Sequence, residues 1–206
     1  MSLLTTTKPG GHHIEDLISL FNQCFAQSQN TRLVSGDGEP LYVPASNRCS
    51  HHRIVFAHGF YRSALHEIAH WCVAGKVRRQ LLDYGYWYKP DGRDAQAQKA
   101  FEQVECKPQA LEWVFCLSAG HSFEVSCDNL GAADPEAIDR AGFAAQVQAQ
   151  LLSYAKTGLP QRAAVFAGAL RAFYGMTDPM ATPLVSTTVK GHSQACEHNT
   201  RSTQHV

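Results

Sequence analysis

The sequence predicts an α/β (α+β) fold, a compact single domain in which a small sheet is surrounded by helices. Three observations lead to that class. Apolar residues recur at three- and four-residue steps over several long segments, the spacing of one helix face. Short runs rich in β-formers lie between the first of those segments. Across 206 residues, 44% are apolar and 17% charged, enough to bury a core and too apolar for wholesale disorder. The length suits one domain, expected over residues 12–175, with a flexible N-terminus at 1–11 and a poorly ordered polar tail at 176–206.

The elements follow in order. From about His13 to Ala26, the residues Ile14, Leu17, Ile18, Phe21, Cys24 and Phe25 mark a helix. Thr31 to Val34 and Leu41 to Val43 read as strands, and Gly36-Asp37-Gly38 between them predicts a hairpin. Ile54 to Ala57 reads as a buried strand leading into His58-Gly59-Phe60. A helix is expected from Tyr61 or Ser63, with Ser63 as its cap, to near Gly75. Leu81 to Tyr88, dense in aromatics, reads as extended. Asp94 is expected to cap a helix through about Val104, and Pro108 to open another running to about Leu117. Residues 135–155 form the next, with Pro135 in its first turn; Gly158 and Pro160 stop it, and Gln161 to Tyr174 is the last.

Charge and cysteine usage narrow the function. Eighteen basic residues balance eighteen acidic ones, which speaks against a general nucleic-acid binder and against direct DNA binding. Seven cysteines occur with no Cys-x-x-Cys pair, Met1 to Asp16 lacks a secretory core, and no run reaches the roughly 18 apolar residues of a membrane span. The expectation is a cytoplasmic protein with reduced thiols and no membrane partner; the oligomeric state leaves no trace in the sequence.

His66-Glu67-Ile68-Ala69-His70 is the motif that carries chemistry. Residues at i and i+4 share a helix face, so two imidazoles can converge on one ion, and Glu67 projects beside them toward a bound water. Composition alone would give this pattern in about one such chain in forty, so it needs its helical setting to count. The extended zinc-protease pattern requires a glycine and a third histidine where this chain has Val73 and Lys76, so that subclass is disfavoured. The third ligand is then a carboxylate from a later helix: Glu105, Glu102 or Glu112. Glu105, flanked by Val104 and Cys106, is the one expected to point inward, because carboxylates are seldom buried unless paired or metal-bound. Two histidines and a carboxylate suit a zinc hydrolase with Glu67 as general base, and equally a non-haem ferrous oxygenase.

Other features are weaker. His58 follows a strand and is read as a hydrogen-bonded core histidine or a residue lining the site. Tyr84, Tyr86, Trp87 and Tyr88 are read as strand packing, or as the wall of a pocket for a long side chain. Lys76, Arg78 and Arg79 are read as a solvated helix end suited to the helix dipole, or as a docking patch for an acidic partner.

Beyond single motifs, the chain resembles the elongation factor P hydroxylase family. The matching strings are Asn30-Thr31-Arg32-Leu33, Arg53-Ile54-Val55-Phe56-Ala57-His58-Gly59-Phe60 and His66-Glu67-Ile68-Ala69-His70-Trp71-Cys72. They continue through Tyr86-Trp87-Tyr88, Pro90 to Gln96, Val104-Glu105, Lys107 to Leu111 and Val125 to Leu130, so the likeness covers roughly residues 12–175. Several uncommon strings in one order are far more specific than the metal motif alone.

The resemblance implies hydroxylation of the lysine of elongation factor P after that lysine has received a β-lysyl group. It implies a compact α/β fold with the metal on a zincin-like His-Glu-x-x-His helix, held by His66, His70 and a later glutamate matched to Glu105. At Glu112 the family's pattern asks only for an acidic residue, which argues against a ligand role there. Fe(II) is the implied metal and O₂ the oxidant, with zinc or another divalent ion able to occupy the isolated protein; whether an organic co-substrate supplies electrons is left open. Glu67 is then free to orient a ligand histidine or a water, or to meet the substrate ammonium, and a tunnel walled by carboxylates and aromatics is expected for so long a dication. Two rivals stand beside this reading: a zinc-dependent peptidase with Glu67 as base, and a non-enzymatic metal- or partner-binding domain.

Overall fold

The computed structural model describes residues 11–85, 92–127 and 139–181. Helix α1 is Ile14–Phe25; its buried residues Leu17, Phe21 and Phe25 recur every fourth position, and Glu15 and Asp16 in its first turn suit the positive end of the helix dipole. Asn22 of this helix accepts a hydrogen bond from the Leu33 N–H at 3.0 Å, tying α1 to the strand that follows.

The sheet has three strands: β1 (Thr31–Gly36), β2 (Leu41–Val43) and β3 (His52–Ala57). Their order is β1-β3-β2, with β1 parallel and β2 antiparallel to β3. The hairpin expected between β1 and β2 therefore does not form. Ile54 and Phe56 of β3 are fully buried, and this most apolar strand takes the centre, pairing Leu33 on one side and Tyr42 on the other with Ile54. Gly36 permits the close approach where β1 ends: a Cβ there would meet Val55 Cγ1 at 2.5 Å.

Helix α2 spans Tyr61–Val73 and carries the His-Glu-x-x-His segment. Phe60, not Ser63, holds the cap position, while Ser63 Oγ accepts from the Ala57 N–H at 3.2 Å, so the hydroxyl serves the end of β3. Trp71 is fully buried against Phe21 and Phe25, whose ring centroids lie 5.3 and 4.8 Å from it, and Phe21 packs in turn on Phe166 at 5.8 Å. Its last turn is closed from outside: one Arg162 nitrogen donates to the carbonyls of Trp71, Cys72 and Ala74 at 2.9, 3.1 and 2.7 Å.

After a 3₁₀ turn at Arg78–Gln80, the extended segment expected over Leu81 to Tyr88 is replaced, as far as Gly85, by a second one at Leu82–Gly85; residues 86–88 lie outside the described part. Asp83 and Tyr84 adopt left-handed backbone, φ 46° and 58°, and this turn drives Tyr84 inward to stack on Tyr42 at 4.4 Å.

Helix α3 is a single rod, Ala95–Ala119, where two helices were expected. Asp94 caps it as anticipated, accepting from the Ala97 N–H at 2.8 Å. Pro108 sits inside, buried, and does not end the helix. Proline removes one helical hydrogen bond, but burying Ala110, Leu111, Val114 and Phe115 against neighbouring helices outweighs that local cost. Gly120 ends α3 in left-handed backbone at φ 69°. Helix α4 (Arg140–Thr157) begins at its cap Asp139, and the 135–138 part of the expected helix lies outside the described residues. Helix α5 is Gln161–Tyr174, as the sequence predicts. Cysteines among the described residues are free thiols, and no described helix is long and apolar enough to cross a membrane.

Candidate metal centre

The geometry of α2 sets the first two donors. His66 and His70 stand one turn apart on one helix face, opposite buried Ile68. Their ring centroids are 4.7 Å apart and their Nε2 atoms 3.0 Å apart. The third donor comes from α3. Glu105, 2% exposed, places Oε1 3.2 Å from His70 Nε2 and Oε2 3.4 Å from His66 Nε2. Among the described residues, His66, His70 and Glu105 form the one group whose donor atoms cluster this tightly.

That spacing can be tested against an ion. With metal–ligand bonds of about 2.1 Å, neighbouring donors lie about 3.0 Å apart in octahedral and about 3.4 Å in tetrahedral geometry. The 3.0 Å between the two Nε2 atoms falls in that interval, and Glu105 turns one oxygen to each ring, at 3.2 Å from His70 and 3.4 Å from His66. Two imidazoles and a carboxylate are moreover a donor set for a divalent transition metal, so the residues fit one.

Electrostatics of the metal-free cluster follow from burial and charge together. Burial alone would lower the His66 ring, but the Glu112 hydrogen bond and the charges of Glu105 and Glu112 push it up to about 10. Burial would raise Glu105, yet His70 and then His66 hold its carboxyl down at about 2. Glu67 lies beside the donors, half-buried, with no hydrogen bond or ion pair among the described residues; burial raises its carboxyl, and the charges of the two histidines partly oppose that.

The remaining candidates fall elsewhere. Glu102 accepts from Gln98 at 3.1 Å and stays out of the cluster. Glu112 meets the far nitrogen of His66, Nδ1, at 3.0 Å, so it touches a donor ring without joining the donor face. His58 is exposed in left-handed backbone (φ 50°) at the exit of β3, neither a buried core histidine nor part of the centre. Tyr84 packs into the core, and Tyr86, Trp87 and Tyr88 lie outside the described residues. In the basic cluster, Arg79 donates to the Ala74 carbonyl at 2.7 Å and Arg78 to that of Tyr84 at 3.1 Å, so these guanidiniums serve local carbonyls, while Lys76 is exposed. Sequence reasoning missed Arg62, which binds Glu112 through two nitrogens at 2.8 and 3.2 Å. The available signal was its position one turn before His66 on the same helix face.

Fold and site together define a class: an α+β protein whose metal-type donor set joins two histidines of one helix to a glutamate of the next. The elongation factor P hydroxylase family matches residues 20–183 of this chain. Over 167 residues the chain is 52% identical to the elongation factor P lysine hydroxylase of Haemophilus influenzae, covering 81% of this chain and 92% of that protein. The chain belongs to the elongation factor P hydroxylase family.

Proposed function

We propose that this protein is a metal-dependent hydroxylase of elongation factor P, acting on its β-lysylated lysine, with Fe(II) held by His66, His70 and Glu105 and with O₂ as oxidant. The observation that carries this reading is the convergence of one donor atom each from His66, His70 and Glu105, on α2 and α3, within 4.8 Å of one another, in a chain of this family. Fe(II) in a two-histidine, one-carboxylate set supplies activation of dioxygen when bound. The protein's own residues do the rest. His66, His70 and Glu105 would hold the ion between α2 and α3. The packed α2–α3 seam, with Glu105 2% exposed, shields the carboxylate donor from water. Glu67, unpaired beside the donors, receives the substrate ammonium or a bound water; it is the catalytic-site carboxylate of this proposal.

The donor set by itself equally suits a zinc peptidase with Glu67 as base, and family membership supports the hydroxylase. Work on a translation factor places the protein in the cytoplasm in this reading. Its working unit starts at residue 12 and runs a little past 175, since the family match reaches residue 183 and Met180 packs against the core; the polar tail beyond is dispensable in this reading.

Intact-mass measurement of elongation factor P from cells tests the proposal. Replacing the gene by His70→Ala or Glu105→Gln should remove one oxygen, about 16 mass units, from the β-lysylated protein. An unchanged mass overturns the hydroxylase reading, and peptide cleavage by the zinc-loaded protein would replace it with the peptidase.

A further inference from the structure

On the side of His66 away from the donor face, Glu112 and Arg62 continue a chain of hydrogen bonds. Glu112 on α3 sends Oε2 to His66 Nδ1 at 3.0 Å and Oε1 to Arg62, whose two nitrogens lie 2.8 and 3.2 Å away. Arg62 is itself pinned: the same terminal nitrogen donates to the Glu124 carbonyl at 2.7 Å, and its guanidinium lies 5.6 Å from the centre of the Phe123 ring. Each oxygen of Glu112 therefore has one partner, and its side chain is 5% exposed. A carboxylate so buried needs compensation, and Arg62 supplies the charge while His66 supplies a second donor.

The chemistry of imidazole gives this chain a consequence. A neutral ring carries one proton, and a carboxylate at Nδ1 holds it there. Nε2, the atom facing His70 and Glu105, is then left with its lone pair turned to the donor cluster. His70 has no equivalent support: its Nδ1 carries no hydrogen-bond partner among the described residues, whereas its Nε2 lies in the cluster. The two histidines are thus inequivalent, and the support runs to one of them.

We infer that Glu112, braced by Arg62, is the positioning residue of the metal centre, fixing the ring orientation and Nδ1–H tautomer of His66 so that Nε2 is preorganised as a ligand. The inference rests on the metal reading of His66, His70 and Glu105. It assigns to Glu112 an indirect part, through His66, in place of ligation.

Zn²⁺ is the probe, because it is diamagnetic and binds such donors. Its affinity is measured by competition with a chromogenic chelator, and the His66 ring proton is followed by ¹⁵N NMR in the Zn²⁺-loaded protein. In the wild type, a protected Nδ1–H on His66 is expected. Glu112→Ala should weaken Zn²⁺ about 10- to 100-fold and lose the protected proton. Glu112→Gln keeps the shape and an acceptor oxygen; the Nδ1–H should persist with a weakened bond, and affinity should recover to within about tenfold of wild type. If Glu112→Ala does not fold, as a melting curve would show, Glu112→Gln alone carries the test. Wild-type affinity together with an unshifted His66 proton in a folded Glu112 variant overturns the inference while leaving the metal centre in place. Zn²⁺ binding that is unaffected by His66→Ala overturns the centre itself, and the positioning role with it.

Discussion

Glu105 and Glu112, two turns apart on α3, address opposite nitrogens of one imidazole: Glu105 Oε2 stands 3.4 Å from His66 Nε2 and Glu112 Oε2 3.0 Å from His66 Nδ1. A single helix thus supplies the carboxylate in front of His66 and the one behind it. Seven residues nearly complete two turns, so both acids face α2, and the ring between them cannot rotate without losing one.

The titration of His66 gives the first prediction. Its ring is raised from 6.5 to about 10 in the metal-free protein, so the folded state keeps a proton that the unfolded chain loses. That contribution to stability is fully present below about pH 6.5 and fades as pH climbs toward 10. A bound metal replaces the Nε2 proton, so the loaded protein does not suffer this loss. The Tm difference between Zn²⁺-loaded and chelator-treated protein should widen from pH 6.5 to pH 9 in scanning fluorimetry. Buried thiols and phenols titrate in both samples and cancel in the difference; a gap that narrows contradicts the prediction.

Pro108 lies between Glu105 and Glu112 and withholds an N–H from the Val104 carbonyl. Interior prolines also bend helices, so the relative setting of the two acids depends on it. Pro108→Ala should raise stability by about 1–2 kcal/mol and at the same time weaken Zn²⁺ binding. Denaturant midpoints and chelator competition on the same sample separate the two effects. Equal affinity would show that α3 sets its acids without the proline.

Arg162 closes the last turn of α2 with contacts to three carbonyls and lies 4.7 Å over the Trp71 ring. Arg162→Ala should cost about 1–3 kcal/mol in urea unfolding, the scale of charge-assisted hydrogen bonds left unmade. Arg162→Lys should recover less than half, since a point ammonium cannot both stack on the indole and span the carbonyls. Full recovery by lysine would leave charge alone as the cause.

Tyr84 is 2% exposed and its hydroxyl has no hydrogen-bond partner among the described residues. Removing an unpaired buried hydroxyl relieves desolvation, so Tyr84→Phe should leave stability unchanged or raise it by about 1 kcal/mol. Because the ring still stacks on Tyr42, the fold should persist. A clear loss of stability would reveal a partner for that hydroxyl.

Helix periodicity made α1, α2 and α5 legible in the sequence, since each buries a stripe at regular spacing. His66 and His70 were legible for the same reason: helical spacing alone puts them together. Glu105 was accessible through its apolar neighbours Val104 and Cys106. Tertiary effects were hidden. The order β1-β3-β2 follows from which strand is most buried, and the turn chemistry at Gly36-Asp37-Gly38 does not report that. The unity of α3 depends on partners packed against it, which outweigh a proline that locally favours a break. The place of Glu112 depends on how two helices approach and on which nitrogen of a ring faces outward, a matter of ångströms that no spacing encodes.

The stopper of helix α2 comes from far along the chain: its last carbonyls are met by residue 162, some ninety positions later. A growing polypeptide can therefore emerge with both histidines and both acids already made while the end of α2 still frays in water. The contacts that close the last turn of α2 therefore form only once α5 has been made, later than both histidines and both acids.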